Sequence, residues 1–451
     1  MSLLQRIANP FVTFVEKYYP DPFVFVILLT ILTMALALGL TDTTAYGVIE
    51  AWGGGLSSLL TFMAQISLML ITAHALAHTD PASKLLRFLS RIPTSDWQAY
   101  AFVALISGLA NLIAWSLGLV VGAIIARQVA IESDRRGLKL HFPLLVASAY
   151  AGFVIWHMGY SSSAALFVAT EGHKLESIMG VIPVTATIFT SWNLAIALIT
   201  LIGISIICPL LRPAAEDTIS VKAHQLVDSL EDEEIEHDLD SGTFGDSLNH
   251  SKLAILVFGG LLAIYLFTWF QTKGLDLNLN IVNWTFLALG LLLSRSPIHY
   301  VELIKDASGL LGPILLQYPF YAGIMGLING TGLVVIMSDW FTEIANSGTL
   351  TFWAFISSGI VNMFVPSGGG QWVVQGPIFI EAAKNLNVDP SLIVMSVAYG
   401  DQWTNMIQPF WTIPLLAIAN LDMRKIMGYT FIIFLFTLLT FGGGLLILGA
   451  G

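Results

Sequence analysis

Residues 362–378 read NMFVPSGGGQWVVQGPI. The flanks are apolar enough for a membrane helix, yet the middle holds Pro366, Ser367 and three consecutive glycines, and Gln371 and Gln375 follow. Lipid offers the backbone no hydrogen bonds, so irregular chain at membrane depth is tolerated only where protein or a water-filled cavity surrounds it. A helix starting just after Ser367-Gly368-Gly369-Gly370 aims unpaired N–H groups and a positive dipole end inward. Such a terminus is an anion site, and glycine lets the backbone approach a ligand closely. A plain chain reversal needs one or two glycines; the longer run points to binding.

The surrounding composition sets this stretch in a membrane protein. Of 451 residues, 56% are hydrophobic and 11% charged, against about 25% charged in soluble domains. The runs Pro22 to Leu40 and Met427 to Gly451 carry no charged residue; both exceed the roughly 18 residues that mark a crossing helix. The fold class expected is an all-α polytopic membrane protein. The net charge of −11 is concentrated in EDEEIEHDLD, Glu231 to Asp240. The single cysteine, Cys208, excludes an intrachain disulfide and any multi-cysteine metal site. No nucleotide loop, paired-carboxylate motif or HExxH occurs, and the longest polar loop is too small for a catalytic domain, so an enzyme is not expected. No basic patch points to nucleic acid. The Ala-Leu-Ala at 35–37 imitates a cleavage site, but the long apolar run and Glu16 ahead of it read as an uncleaved first helix. Residues 3–19 read as an interfacial amphipathic lead-in.

Nine spans are expected, near 22–40, 55–78, 141–168, 180–211, 253–272, 281–294, 309–337, 390–420 and 426–448. Two further apolar segments, 99–127 and 349–386, are broken near their middles. Basic residues concentrate on the cytoplasmic side of membrane proteins. With the N-terminus inside and both odd segments re-entrant, the outside holds only Lys174, Lys273 and Lys384 of the 19 basic residues. Single crossings would put Arg127, Arg135, Arg136 and Lys139, among others, outside and erase the bias. Two re-entrant hairpins follow, the first open to the cytoplasm and the second to the outside.

The two halves also echo each other. ISGLANLIAWSLGLVVGAI (Ile106 to Ile124) aligns with ISSGIVNMFVPSGGGQWVVQGPI (Ile356 to Ile378), pairing Gly108 with Gly359, Asn111 with Asn362, Ser116 with Ser367 and Gly118 with Gly369. Ala149-Tyr150 falls on Ala398-Tyr399. The division expected is a first half, 1–211, an acidic cytoplasmic linker, 212–250, and a second half, 251–451. Hairpins opening to opposite sides make these inverted repeats, the architecture of alternating-access transporters.

The second half's broken span reads AYGDQWTNMIQPFW, in which Gly400 and Pro409 bracket Asp401, Gln402, Thr404, Asn405 and Gln408. A carboxylate and several amides at mid-membrane depth are costly and usually functional. Asp401 either serves the site or holds the hairpin by hydrogen bonds. The first half offers Trp156, His157, Tyr160 and Ser161 to Ser163 at the matching place; His157 is equally a buried, hydrogen-bonded histidine or a proton carrier. His74 and His78 read as interfacial. Ser116, His157, Ser161, Ser367, Gly368, Gly369, Gly370, Gln371, Gln402 and Gln408 are the candidate substrate contacts. No Lys or Arg falls in the tips or broken centres, so an anion would be held by helix N-termini, amides and a co-bound cation. Trp115, Trp156, Trp372, Met406 and Trp411 would give the pocket apolar bulk suited to a small monoanion.

VPSGGGQWVVQGPI together with AYGDQWTNMIQPFW resembles the short-chain fatty acid transporter family, within the wider ion-transporter superfamily, and the resemblance covers essentially the whole chain. It implies uptake of short-chain carboxylates such as acetoacetate or butyrate across a bacterial inner membrane, by an elevator mechanism. It also implies cation sites at Asn111 and Asn362, where superfamily hairpins carry a cation-binding Asn. The candidate cation ligands are Asn111, Gly118, Asn362, Ser367, Asp401, Thr404 and Asn405. These oxygen donors suit Na+, while Asp401 and His157 leave proton coupling open; no other cofactor is expected, and a homodimer is an open expectation. The first hairpin reads AWSLG where the second reads VPSGGG. Transport of another organic anion, such as a dicarboxylate, or an anion channel is the alternative reading.

Overall fold

The computed structural model describes residues 20–173, 175–221, 243–274, 279–366 and 368–450. The lead-in at 3–19, the acidic run 231–240 and Ser367 lie outside the described residues. Among the described residues the protein is helical, with no strand.

Among the described residues, seven helical segments are long and apolar enough to cross a membrane: Phe23–Leu40, Ala45–His78, Trp115–Arg135, Phe142–Val168, Ser191–Leu210, Lys252–Lys273 and Arg424–Gly449. An eighth arises if Ile314–Gly330 and Leu333–Glu343 count together. This differs from the nine spans expected at several places. The span at 309–337 is not straight: the chain bends by 75° beside Gly332, whose φ of +73° is a left-handed conformation that breaks the helix. The span at 281–294 is a helix of 15 residues, Leu279–Leu293. The span at 390–420 divides into Pro390–Thr404, a short 3-10 turn and Thr412–Ala419. The span at 180–211 holds only a short 3-10 turn, Val184–Ala186, before the α-helix begins at Ser191, where the Thr190 hydroxyl accepts from the Asn193 N–H. Trp115–Arg135, expected as a hairpin arm, has the length and apolar content of a span.

The helices pack as two groups. One is built from helices within 22–78 together with those within 252–330, and the other from helices within 96–210 and 350–450. In the first group, Ala45–Gly55 lies against Gly312–Gly330 at a glycine pair. A Cβ on Gly55 would stand 2.8 Å from the Gly326 Cα and 2.7 Å from the Ala322 carbonyl oxygen. This backbone contact fixes the turn at 56–59, which follows three consecutive glycines, Gly53 to Gly55.

Two helical hairpins organise the second group. Asp96–Ile113 and Trp115–Arg135 are separated by Ala114 alone, in extended conformation. Gly118 lies against the Asn111 amide and Gly122 against Ser107, so residue numbers rise on one arm as they fall on the other and the arms run antiparallel. Leu350–Asn362 and Gly368–Leu386 form the second hairpin. Across it, the Gln371 amide donates to the Ser358 carbonyl (2.7 Å) and the Gln375 amide to the Ser357 hydroxyl (3.2 Å).

Each hairpin's first arm packs on the broken span that follows it, through the same kind of contact. The Ser107 hydroxyl donates to the Ala149 carbonyl, and the Ser358 hydroxyl to the Val397 carbonyl, both at 2.6 Å. Gly152 sits on Ser107-Gly108, and Gly400 sits on Ser358-Gly359. A side chain at either glycine would collide with backbone, so the sequence needs glycine there to let the helices touch. The two broken spans then cross each other. The Tyr150 hydroxyl donates to the Asn405 carbonyl (2.7 Å), and the His157 N–H donates to the Gln402 side-chain oxygen (2.9 Å). These pairings run in opposite sequence directions, so the crossing is antiparallel.

Candidate functional site

At the meeting of the hairpin ends, the broken spans and the first helix group lies a cavity of about 290 Å³. Trp115 comes from the first hairpin, and Pro366, Gly368 and Gly369 from the second. Trp156 and Ser163 come from one broken span, and Phe410 and Trp411 from the other. Leu59, Phe62 and Met325 close it from the first helix group. None of these lining residues is charged.

Two helices begin at the cavity. Trp115 opens the helix Trp115–Arg135, and its N–H donates to the Ser161 hydroxyl at 2.9 Å. Gly368 and Gly369 open Gly368–Leu386. The first N–H groups of a helix have no partner within it, so this end offers donors and a positive dipole to an anion. A Cβ on Gly369 would stand 3.6 Å from the Ser163 Cβ, an ordinary contact. Gly368 is more constrained: a Cβ there would collide with the His157 imidazole and stand 3.2 Å from the Trp156 ring edge.

Beneath Gly368 is a buried polar pair. His157 Nε2 lies 3.1 Å from Asp401 Oδ2, and His157 Nδ1 lies 3.2 Å from the Ser162 hydroxyl. Asp401 Oδ1 is buried without a hydrogen-bond partner. One carboxylate oxygen is thus tied to the opposite half, while the other remains an acceptor.

A second polar cluster surrounds Asn362 at the end of its helix. Its side-chain nitrogen donates to the Asp401 carbonyl (2.8 Å), the Thr404 hydroxyl (2.9 Å) and the Asn405 side-chain oxygen (2.7 Å). Three oxygens therefore converge on one point, while Asn362 Oδ1 is buried without a partner. Nitrogen and oxygen of an amide are assigned from such networks. Exchanging them would add a fourth oxygen to a set of hard donors, which fits a small cation. Around Asn111 the set is thinner. Its nitrogen donates to the Ser107 carbonyl (2.8 Å) and hydroxyl (3.3 Å) on its own helix, and its Oδ1 is likewise unpartnered. Gly118 packs on this amide because no larger residue fits.

The remaining candidates fall into two sets. Gly368 and Gly369 line the cavity, and Gly370 is exposed one residue further along the helix. Ser116 is buried in the first turn of its helix, and the Ser161 hydroxyl accepts from that helix's N-terminal N–H. Gln371 turns its amide into the second hairpin, toward Ser358 and Gln375. Gln402 accepts from the His157 backbone, and Gln408 donates to Asn405 at 2.8 Å; Gln402 Nε2 and Gln408 Oε1 are buried and unpartnered. Ser367 lies outside the described residues. Of the apolar bulk expected, Trp115, Trp156 and Trp411 line the cavity; Trp372 packs against Leu175 and Gly376, and Met406 is core. His74 and His78 stack on each other at 4.1 Å, away from this lining.

Leu59, Phe62 and Met325 were not legible as lining residues. A weak signal was available in AWGGGLSSLLTF (Ala51 to Phe62), one of three triple-glycine runs in the chain.

Residues 3–448 match the family model described as short chain fatty acid transporter. A protein of Escherichia coli (strain K12), provisionally named a short-chain fatty acid transporter, is 38% identical over 99% of both chains. A Haemophilus influenzae protein with the same provisional name is 36% identical, over 96% of this chain and 98% of that one. Both names are those of transporters, not enzymes. Among solved structures, the Alcanivorax borkumensis YdaH transporter aligns with TM-score 0.42 and 14% identity, over 96% of this chain and 98% of that one; so low a score carries no weight here. The match along almost the full chain and the two long relatives establish that this chain belongs to the short-chain fatty acid transporter family.

Proposed function

We propose that the protein carries short-chain monocarboxylates, such as butyrate or acetoacetate, together with a cation across a bacterial inner membrane. The observation that carries this reading is the cavity itself. It is closed by two helix N-termini and aromatic rings, with no charged lining residue. Half-helix N-termini at mid-membrane are a recurrent way to hold an anionic group, and the aromatic remainder suits a short apolar tail. The names of the E. coli and H. influenzae relatives point to the same substrate class.

The paired contacts of Ser107 with Ala149 and Ser358 with Val397, and the antiparallel crossing of the broken spans, support an inverted-repeat architecture with two re-entrant hairpins. The cavity's position between two helix groups supports elevator-type alternating access, in which the hairpin group moves against the other. The N-terminus is cytoplasmic in this reading, with the first hairpin open to the cytoplasm.

Uptake of a monoanion against an inside-negative potential costs about 2.3 kcal/mol per charge for each 100 mV. One cation makes the step neutral, and two let the potential drive it. The oxygen cluster around Asn362 is the better-furnished cation site, and Na+ suits it. The test is uptake of a panel of labelled carboxylates into proteoliposomes, with sodium and proton gradients imposed separately. Saturable, sodium-driven monocarboxylate uptake is the expected result. Dicarboxylate preference, or unsaturable flux indifferent to both gradients, would overturn it in favour of another anion or a channel.

A further inference from the structure

The cavity has two chemically distinct ends, and an aromatic path joins them. At the polar end, Gly369 faces Ser163, and Gly368 lies against Trp156. Trp156 then stands 6.3 Å, centroid to centroid, from both Trp115 and Trp411. Phe62 closes the far end, 6.2 Å from Trp115 and 5.9 Å edge-on to Trp411. Every residue of this path belongs to the hairpin group except Phe62. Phe62 belongs to the other group, beside Leu59 and Met325, and the contact of Gly55 with Gly326 holds that wall in place.

The seam between the groups begins at Phe62. There Phe62 stacks on Phe410 at 6.3 Å and on Tyr318 at 5.9 Å, and Tyr318 stacks on Phe410 at 4.6 Å. Phe62 and Tyr318 are on one side, Phe410 and Trp411 on the other.

We propose that Phe62 and Met325 set the longest acid the protein carries, because any tail reaching past them bridges the two helix groups and holds them together. This rests on the reading of the cavity as a carboxylate site. With the carboxylate at Gly368 and Gly369, a short tail ends against Trp115 and Trp411 and touches only the group that binds it. A longer tail must enter the seam between Phe62 and Phe410. Each added methylene that is buried strengthens binding by about 0.8 kcal/mol. That gain is realised only in the resting arrangement, so it opposes movement instead of assisting it, by the same logic that makes ground-state binding slow a reaction. Long acids therefore bind well and are not carried.

The experiment uses the full-length protein in proteoliposomes with straight-chain acids of two to ten carbons. For each acid, both its own uptake and its inhibition of butyrate uptake are measured. In the native protein, uptake is expected to fall beyond a limiting length while inhibition continues to strengthen. Phe62→Ala and, separately, Met325→Ala are expected to raise the octanoate-to-butyrate ratio of kcat, measured at saturating acid, by about ten-fold or more, the worth of about two buried methylenes, and to weaken inhibition by octanoate, because resting-state binding acts on kcat and KM together. Inhibition that fades together with uptake would overturn the proposal, since long acids would then simply fail to bind. An unchanged ratio in both variants would overturn it as well. If either variant does not insert, the native uptake and inhibition series decides alone. Failure of the native protein to carry any acid would defeat the carboxylate reading itself, whereas normal butyrate uptake with an unaltered length profile would defeat only the assignment of the wall.

Discussion

Asp401 Oδ2 and His157 Nε2 meet at 3.1 Å although 244 residues separate them in the chain. Both side chains are buried. The contact joins the two broken spans where they cross, directly under the glycines that open the second hairpin's outer helix. It therefore couples the shape of the anion-binding end to the packing between the two halves.

Removing one member leaves a buried polar group without its partner, which typically costs about 3–5 kcal/mol for an ion pair. Asp401→Ala and His157→Ala are each expected to lower the thermal stability of the detergent-solubilised protein strongly. The double variant should lose clearly less than the sum of the two. Additive losses would show that the two side chains do not act as a unit.

Neighbouring glycines should behave differently. A methyl at Gly368 collides with the His157 ring, whereas one at Gly369 meets the Ser163 Cβ at 3.6 Å. Gly368→Ala should destabilise the protein by about 1–3 kcal/mol, as overpacking does. Gly369→Val should fold and insert normally yet lose carboxylate uptake, because its side chain occupies the anion's place. Native uptake by Gly369→Val, measured in proteoliposomes, would reduce the glycine run to a turn.

These two glycines were legible in the sequence, and so were the breaks in both central spans, because Pro, Gly and amides inside an apolar run conflict with a lipid-facing helix. The expectation that Asn111 and Asn362 hold matching places rested on the similarity of the two halves; each is buried near the end of its hairpin's first arm. The pairing of His157 with Asp401 was not legible, since it depends on how two distant spans dock and no local spacing encodes it. The same holds for Phe62 and Met325, which read as ordinary apolar residues until the contact of Gly55 with Gly326 brings them to the cavity. The 75° bend beside Gly332 was missed although Asn329-Gly330-Thr331-Gly332 carries an Asn-Gly turn signal, because the apolar residues on both sides read as one continuous span.

Asn362 organises three oxygens within 2.9 Å of its side-chain nitrogen. Asn362→Ala is expected to raise the sodium concentration for half-maximal uptake by about ten-fold, the equivalent of losing one hydrogen bond to a charged group, with a smaller effect on rate at saturating sodium. If uptake ignores sodium, follows an imposed pH gradient, and loses that dependence in Asp401→Asn, the coupling ion is the proton and Asp401 is its site.

Orientation can be read with single cysteines at Thr243 and Lys384, both exposed. An impermeant thiol reagent should reach the cysteine at 243 only from the cytoplasm and the one at 384 only from outside. Labelling of both from one side would end the arrangement of two oppositely opening hairpins, which rests on the distribution of basic residues.

The most direct test of the central claim, that the cavity between the two hairpin ends holds the carboxylate, is protection of a cysteine placed inside it. Ser163 lines the cavity opposite Gly369, and the protein's own Cys208, which is buried, is removed by Cys208→Ser. In Ser163→Cys, Cys208→Ser protein, butyrate with sodium is expected to slow modification by a small thiol reagent about ten-fold, while butanamide, which lacks the charge, does not. A modification rate unchanged by butyrate, in protein that still takes it up, would place the carboxylate elsewhere and contradict the account.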